Sequence, residues 1–196
     1  FFKNIKSNFI PFKKFINSLI NESSNLTSVW EARTTKKGFQ SKGNLFALQT
    51  LSIVNLKNII IKAINEYKIK YKTKSDGFIS QWPNKFSLLG WYNKLLKHGH
   101  QQSHIHPGGW LSGCFYLKMP KPLKKGEGAI YFSLHGYDYP IVNSDIPNYQ
   151  YSPIEGDLIL FPSSLFHKTL PFSSNGERHV IAFDIIPEYG VVEYSE

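Results

Sequence analysis

The sequence predicts an α+β chain that is mainly β: a β-sandwich or jelly roll buttressed by N-terminal helices. Two observations carry this. Before Gly77, apolar residues recur at helical spacing. After it, short runs rich in aromatic and branched residues alternate with Gly, Pro, Asn and Asp, too closely spaced for crossover helices.

Residues 11–22 place Phe12, Phe15, Ile16, Leu19 and Ile20 on one helical face, with Pro11 suited to the first turn. A longer helical pattern runs from about Leu48 to Tyr71 through Leu51, Val54, Leu56, Ile59, Ile60, Ala63, Ile64 and Tyr67. Ser75-Asp76-Gly77 is expected to break it. The expected strands are Lys85–Tyr92, Leu111–Leu117, Ala129–Leu134, Asp157–Phe161 and His179–Ile186. No repeat or low-complexity linker interrupts the chain. Residues 1–196 therefore read as a single domain, with a helix-rich part (1–76) and a jelly-roll core (77–196).

Composition narrows the class. Hydrophobic residues make up 41% of the 196 and aromatics 15%, which excludes a disordered or collagen-like chain. With Cys114 alone, neither an intramolecular disulfide nor a cysteine-based zinc site can form. The single methionine is Met119, so Phe1 is not a translation start; the cytoplasm is the expected compartment. No apolar run approaches the roughly 18 residues of a membrane helix, and no membrane partner is expected. The net charge of +9 invites a nucleic-acid surface, but the cations are 21 Lys and only 2 Arg. Readers of phosphates and base edges lean on the planar Arg fork, so the composition argues against such a partner.

Chemistry concentrates in two segments. Of seven histidines, four lie in HGHQQSHIHPGGW. His104 and His106 have the i, i+2 spacing that shares a strand face, and Pro107-Gly108-Gly109 would end the strand just beyond them. His98 and His100 are expected in a polar turn, and His135 in a loop beside Gly136. The second segment, EGDLILFPSSLFHKTLPFSSNGERHVIAFD, carries a strand, a Pro-Ser turn and His167, the best third ligand, then Arg178 opening the next strand. In a chain that prefers lysine, an arginine there suits a bidentate carboxylate clamp. Each has a plainer reading. H-x-H is often a surface pair, His167 a satisfied core residue, and Arg178 the surface partner of Glu177 or Asp184.

The order of these features resembles the Fe(II)/2-oxoglutarate-dependent oxygenases. It is most similar to those with H-x-H-P, L-S-G-x-x-Y-L and F-P-S-x-L-x-H, here His104–Pro107, Leu111–Leu117 and Phe161–His167, followed by Gly176-Glu177-Arg178. Gly38-Phe39-Gln40-Ser41 and Trp91-Tyr92-Asn93 extend the likeness upstream. The resemblance implies a double-stranded β-helix with Fe(II) on His104, His106 and His167, and 2-oxoglutarate and O₂ on the open positions. It implies that Arg178 holds the far carboxylate of 2-oxoglutarate, with Tyr116 adding a hydrogen bond. The reaction implied is hydroxylation coupled to decarboxylation of 2-oxoglutarate to succinate. The wider superfamily has Asp or Glu where this chain has His106, so His106 is either a ligand or stands behind a water.

Two other readings stay open at this level. One is a three-histidine cupin-type dioxygenase that needs no 2-oxoglutarate; the other is a non-catalytic jelly-roll module that binds a ligand. The partners expected are the small-molecule cosubstrate and a substrate that is a small metabolite or a protein side chain. Trp110, Tyr131, Phe132 and Tyr137 are candidates to line its entrance.

Overall fold

The computed structural model of the chain describes residues 1–6, 11–73, 77–137, 139–141 and 145–188. A short strand, β1 (Phe2–Asn4), precedes helix α1 (Phe12–Ser24). Pro11 stands at the N-cap of α1, and Ile16, Leu19 and Ser23 form its buried stripe. Strands β2 (Ser28–Trp30) and β3 (Thr35–Ser41) follow. The second helix, α2 (Leu51–Tyr71), starts three residues later than its apolar pattern suggests. The reason is a separate 3₁₀ turn, Leu45–Ala47, capped by Asn44, whose side chain accepts from the Phe46 N–H. Its core face is Ile53, Leu56, Ile60, Ala63, Ile64 and Tyr67, while Leu51 points to solvent. Glu22 accepts hydrogen bonds from Thr50 and Ser52, tying the end of α1 to the start of α2. Ser75 and Asp76, the expected breakers, lie outside the described residues; a short helix α3 (Gly77–Ser80) follows.

Seven strands complete the fold: β4 (Phe86–His104), β5 (Leu111–Lys118), β6 (Ile130–Ser133), β7 (Asn148–Tyr151), β8 (Asp157–Pro162), β9 (Phe166–Thr169) and β10 (Arg178–Pro187). Among the described residues they join one antiparallel sheet in the order β1-β8-β5-β10-β4-β9-β6-β7, with β3 on β4 and β2 on β3. Residues 1–76 thus supply three strands to the sheet besides their helices.

The spine is β4. Phe86–Leu95 pair with β10, whereas Gln101 and His104 pair with β9. Between these stretches the register against β3 slips, and His98 takes a positive φ of 63°. His98 and His100, expected in a polar turn, therefore belong to β4; the irregularity is a bulge inside a strand. There the sheet folds over and makes two cores. The larger lies between the helices and one face, with Leu111, Phe115, Leu117, Ile181, Phe183 and Ile185. The smaller lies inside the roll, with Tyr116, Ile130, Phe132, Ile159, Phe161 and Val180 from strands of both halves. This is the jelly roll expected from the strand texture.

Candidate metal centre

Strand pairing places the first two histidines. His104, the last residue of β4, is the register partner of His167 in β9. His106 lies beyond the strand end, so alternation along one strand does not place it. Its N–H donates to the Ser163 carbonyl (2.9 Å), and its own carbonyl accepts from the Gly109 N–H (3.0 Å). Gly109 must lack a side chain: a Cβ there would lie 2.6 Å from Ser163 Oγ and 3.2 Å from Asp184 Cγ. One ligand atom from each of His104, His106 and His167 lies within 4.8 Å of the other two, a spacing that can hold a metal ion.

The hydrogen bonds leave the coordinating nitrogens free. His104 Nδ1–H donates to the Gln102 carbonyl (2.7 Å), and His167 Nδ1–H to the Leu165 carbonyl (3.0 Å). A carbonyl only accepts, so these contacts fix the tautomer and leave each Nε2 with its lone pair. His106 Nδ1 meets Asp184 Oδ1 at 2.7 Å. Burial pushes His104 down to about 4, with the Gln102 carbonyl opposing the shift. Burial, and then the neighbouring His104 and His106, hold His167 well below the ordinary histidine range. Both rings are therefore neutral at pH 7, the form that binds metal. Burial also pushes the Cys114 thiol up to about 12, so no thiolate competes with them.

A second polar group occupies the inner face of β5 and β10. On β10, Arg178, Val180, Ala182 and Asp184 alternate onto that face, while Ile181, Phe183 and Ile185 pack on the helices. On β5, Ser112, Cys114 and Tyr116 lie opposite Asp184, Ala182 and Val180. Arg178 is 2% exposed and its guanidinium carbon sits 5.0 Å from the centre of the Tyr116 ring. Among the described residues no carboxylate approaches Arg178 within ion-pair distance; Glu177 turns instead to Lys94, Lys118 and His179. Arg178 Nε, Tyr116 Oη and, on the neighbouring β4, Asn93 Oδ1 are buried without hydrogen-bond partners. Buried polar groups are normally satisfied, so three orphans on adjacent strands mark a place built for a polar ligand. The surface reading of Arg178 is overturned, because a surface arginine would be exposed. Arg178 and Tyr116 meet each other and lie apart from the histidines along the strands, with Cys114 between.

Of the aromatic candidates, Trp110 stacks on Phe78 on the helix side (5.3 Å, 9°) and so turns away from the histidines. Phe132 lies 6.4 Å from the His167 ring. Tyr137 packs edge-on against Phe166, and Tyr131 carries Lys168 over its ring. Asp184 and Asn93 are the residues that motif reading missed. Counting by twos from Arg178 reaches Asp184, and that periodicity was the available signal.

Residues 90–184 match the family model described as "Putative 2OG-Fe(II) oxygenase". The matched stretch, just under half of the chain, is the strand core that carries the histidines, Tyr116 and Arg178. No curated protein matches the chain in sequence. The fold is similar to that of a Pseudomonas putida prolyl-4-hydroxylase, at 10% identity over 90% of this chain and 86% of that one (TM-score 0.59). It is similar to a viral collagen prolyl hydroxylase from Paramecium bursaria Chlorella virus-1 in complex with 2-oxoglutarate (16%, 90% and 91%, TM-score 0.56). HygX from Streptomyces hygroscopicus, with nickel and 2-oxoglutarate bound, is a third (13%, 90% and 80%, TM-score 0.54). At these identities the likeness is one of fold. Together with the family match, the three-histidine site fits an Fe(II)/2-oxoglutarate enzyme that uses O₂. Among the described residues no helix is long and apolar enough to cross a membrane.

Proposed function

We propose that the chain is one Fe(II)- and 2-oxoglutarate-dependent oxygenase domain that hydroxylates a small molecule or a protein side chain. The observation that carries this is the placement of two polar groups, the three imidazoles and Arg178 with Tyr116, on neighbouring strands of one sheet. Three imidazoles each bring a ligand nitrogen within 4.8 Å of the others, and those of His104 and His167 are neutral. Among the described residues no carboxylate pairs with the buried Arg178 guanidinium, and Arg178 Nε and Tyr116 Oη lack hydrogen-bond partners.

His104, His106 and His167 would hold Fe(II), and three imidazoles leave three octahedral positions open for cosubstrate and O₂. When bound, iron would let O₂ act as the oxidant, one oxygen atom going into the substrate C–H to give C–OH and the other into succinate, formed from 2-oxoglutarate with loss of CO₂. The protein's own residues bind, orient and keep water out. Arg178 offers two parallel N–H donors to the far carboxylate, and Tyr116 Oη adds a third. Phe132, Phe161, Ile159 and Val180 line the roll around them and exclude water. In that setting a charge-assisted pair is worth roughly 1.5–3 kcal/mol.

The free Arg178 favours this reading over a three-histidine dioxygenase without cosubstrate, since a buried cation left unpaired is costly. The test is anaerobic titration of 2-oxoglutarate into the Fe(II)-loaded protein, followed by succinate formation on admitting O₂. Saturable binding with succinate release is expected. Metal binding with no 2-oxoglutarate affinity would transfer the site to the cosubstrate-independent class.

A further inference from the structure

The three imidazoles do not have equivalent partners. His104 and His167 donate to neutral backbone carbonyls, whereas His106 alone faces a carboxylate, Asp184. Asp184 is 5% exposed, and among the described residues its sole ion-pair partner is His106. Its Oδ1 also accepts from Ser112 Oγ–H at 2.6 Å. Ser112 Oγ in turn lies 2.8 Å from Ser163 Oγ and 3.0 Å from His106 Nδ1. Ser112 and Ser163 are fully buried, so the cluster is dry and fixed.

Two consequences follow from elementary electrostatics. The Ser112 hydroxyl proton goes to Asp184, so the proton on the His106–Asp184 contact must come from Nδ1. That leaves His106 Nε2 as the free donor atom, aimed with the other two. Further, a buried carboxylate without Lys or Arg is costly unless a cation compensates it. A divalent ion held on the far nitrogen of His106 would be that cation, reached through the ring.

On the metal-site reading given above, we propose that Asp184 is a positioning residue that tunes His106. It holds the ring in the Nε2-coordinating tautomer and lends the three-imidazole site the negative charge that none of its ligands carries. Hydrogen-bonded carboxylates raise the basicity of a ligating histidine, and losing such a partner typically costs ten- to a hundred-fold in metal affinity.

The test is a double-mutant cycle read by Co(II) binding to the full chain, titrated anaerobically against a competing chelator, without turnover. Asp184→Asn keeps the shape and an accepting oxygen but removes the charge. It is expected to weaken Co(II) binding by about ten- to a hundred-fold. In a His106→Asp background the ligand brings its own charge, so Asp184→Asn is expected to cost nothing, or to help by removing carboxylate repulsion. Unchanged affinity for Asp184→Asn alone would overturn the proposal, as would equal losses in both backgrounds, which indicate a merely structural residue. Should Asp184→Asn fail to fold, Asp184→Glu carries the same cycle, because the added methylene moves the carboxylate off His106 Nδ1. His167→Ala separates the two levels of argument: wild-type Co(II) affinity in that variant would sink the three-histidine site itself, whatever Asp184 does.

Discussion

Two histidine networks lie among the described residues, and they differ in what their ring nitrogens are doing. His179 is closed: Nδ1 meets the Tyr92 hydroxyl at 2.5 Å and Nε2 meets Glu177 at 2.9 Å. Ser24 Oγ extends that chain to 3.2 Å from Tyr92 Oη, and Lys94 and Lys118 flank Glu177. The cluster of His104, His106 and His167 is open: each ring has one nitrogen engaged and one without a partner. Burial does not tell the two apart: His179 and His167 are both buried, while His104 and His106 are half-buried. A spare lone pair separates a structural histidine from a ligand, and only the hydrogen-bond partners reveal it.

The sharpest way to break this comparison is to remove an open ring. His167→Ala takes one of three donors from the site and should lower Co(II) affinity by more than a hundred-fold (about 2.8 kcal/mol or more), measured by chelator competition. His179→Gln should leave that affinity unchanged. Equal losses in the two variants would mean that the open network is no more a metal site than the closed one.

Next in size is Arg178→Lys, which keeps the charge and loses the two-pronged geometry. With a pair worth roughly 2–3 kcal/mol, 2-oxoglutarate should bind thirty- to a hundred-fold more weakly to the Fe(II) form while metal affinity stays the same. Equal cosubstrate affinity would remove the clamp. His106→Ala tests the least orthodox ligand. More than ten-fold weaker metal binding, about 1.4 kcal/mol, is expected, and an unchanged titration would make His106 a bystander.

The smallest effect belongs to the closed network. Burial lowers the His179 pKa from 6.5, with the Glu177 hydrogen bond opposing. As pH falls below about 6.5, the unfolded chain takes up a proton that the folded ring resists, so stability is lost on acidification. Apo His104 and His167 add to the same slope. His179→Gln should cost about 1–2 kcal/mol at neutral pH through a lost hydrogen bond. It should also flatten the fall of the thermal midpoint between pH 6.5 and 5 without abolishing it. A slope identical to wild type would show that His179 does not titrate there.

Much of this was legible in the residues themselves. Strand texture after Gly77 announced the jelly roll, and five expected strands appear with their ends shifted by a residue or two, save β4, which runs on to His104. The place of His167 in the histidine cluster was legible too, because the turn and strand around it have a recognisable local pattern. Short-range order of this kind is set by propensity and spacing, which a linear reading can measure. The run HGHQQSH was misread for the opposite reason: it looks polar and turn-like, yet strand pairing on both sides draws it into β4.

What the chain determined by itself is therefore the set of chemical groups: three histidines, an arginine and a tyrosine, with strand alternation assigning a face to those that lie on strands. Tertiary structure decided which of them meet. His104 faces His167 across 62 residues of intervening sequence because β4 and β9 pair there, and His106 is aimed by a loop packed on Ser163 rather than by its strand. Asp184 reaches His106, and Arg178 is buried with no ion-pair partner among the described residues, because the sheet brings faces of distant strands together. Faces follow from a two-residue period, which is local; partners depend on contacts between distant segments, which the free energy of the whole fold selects.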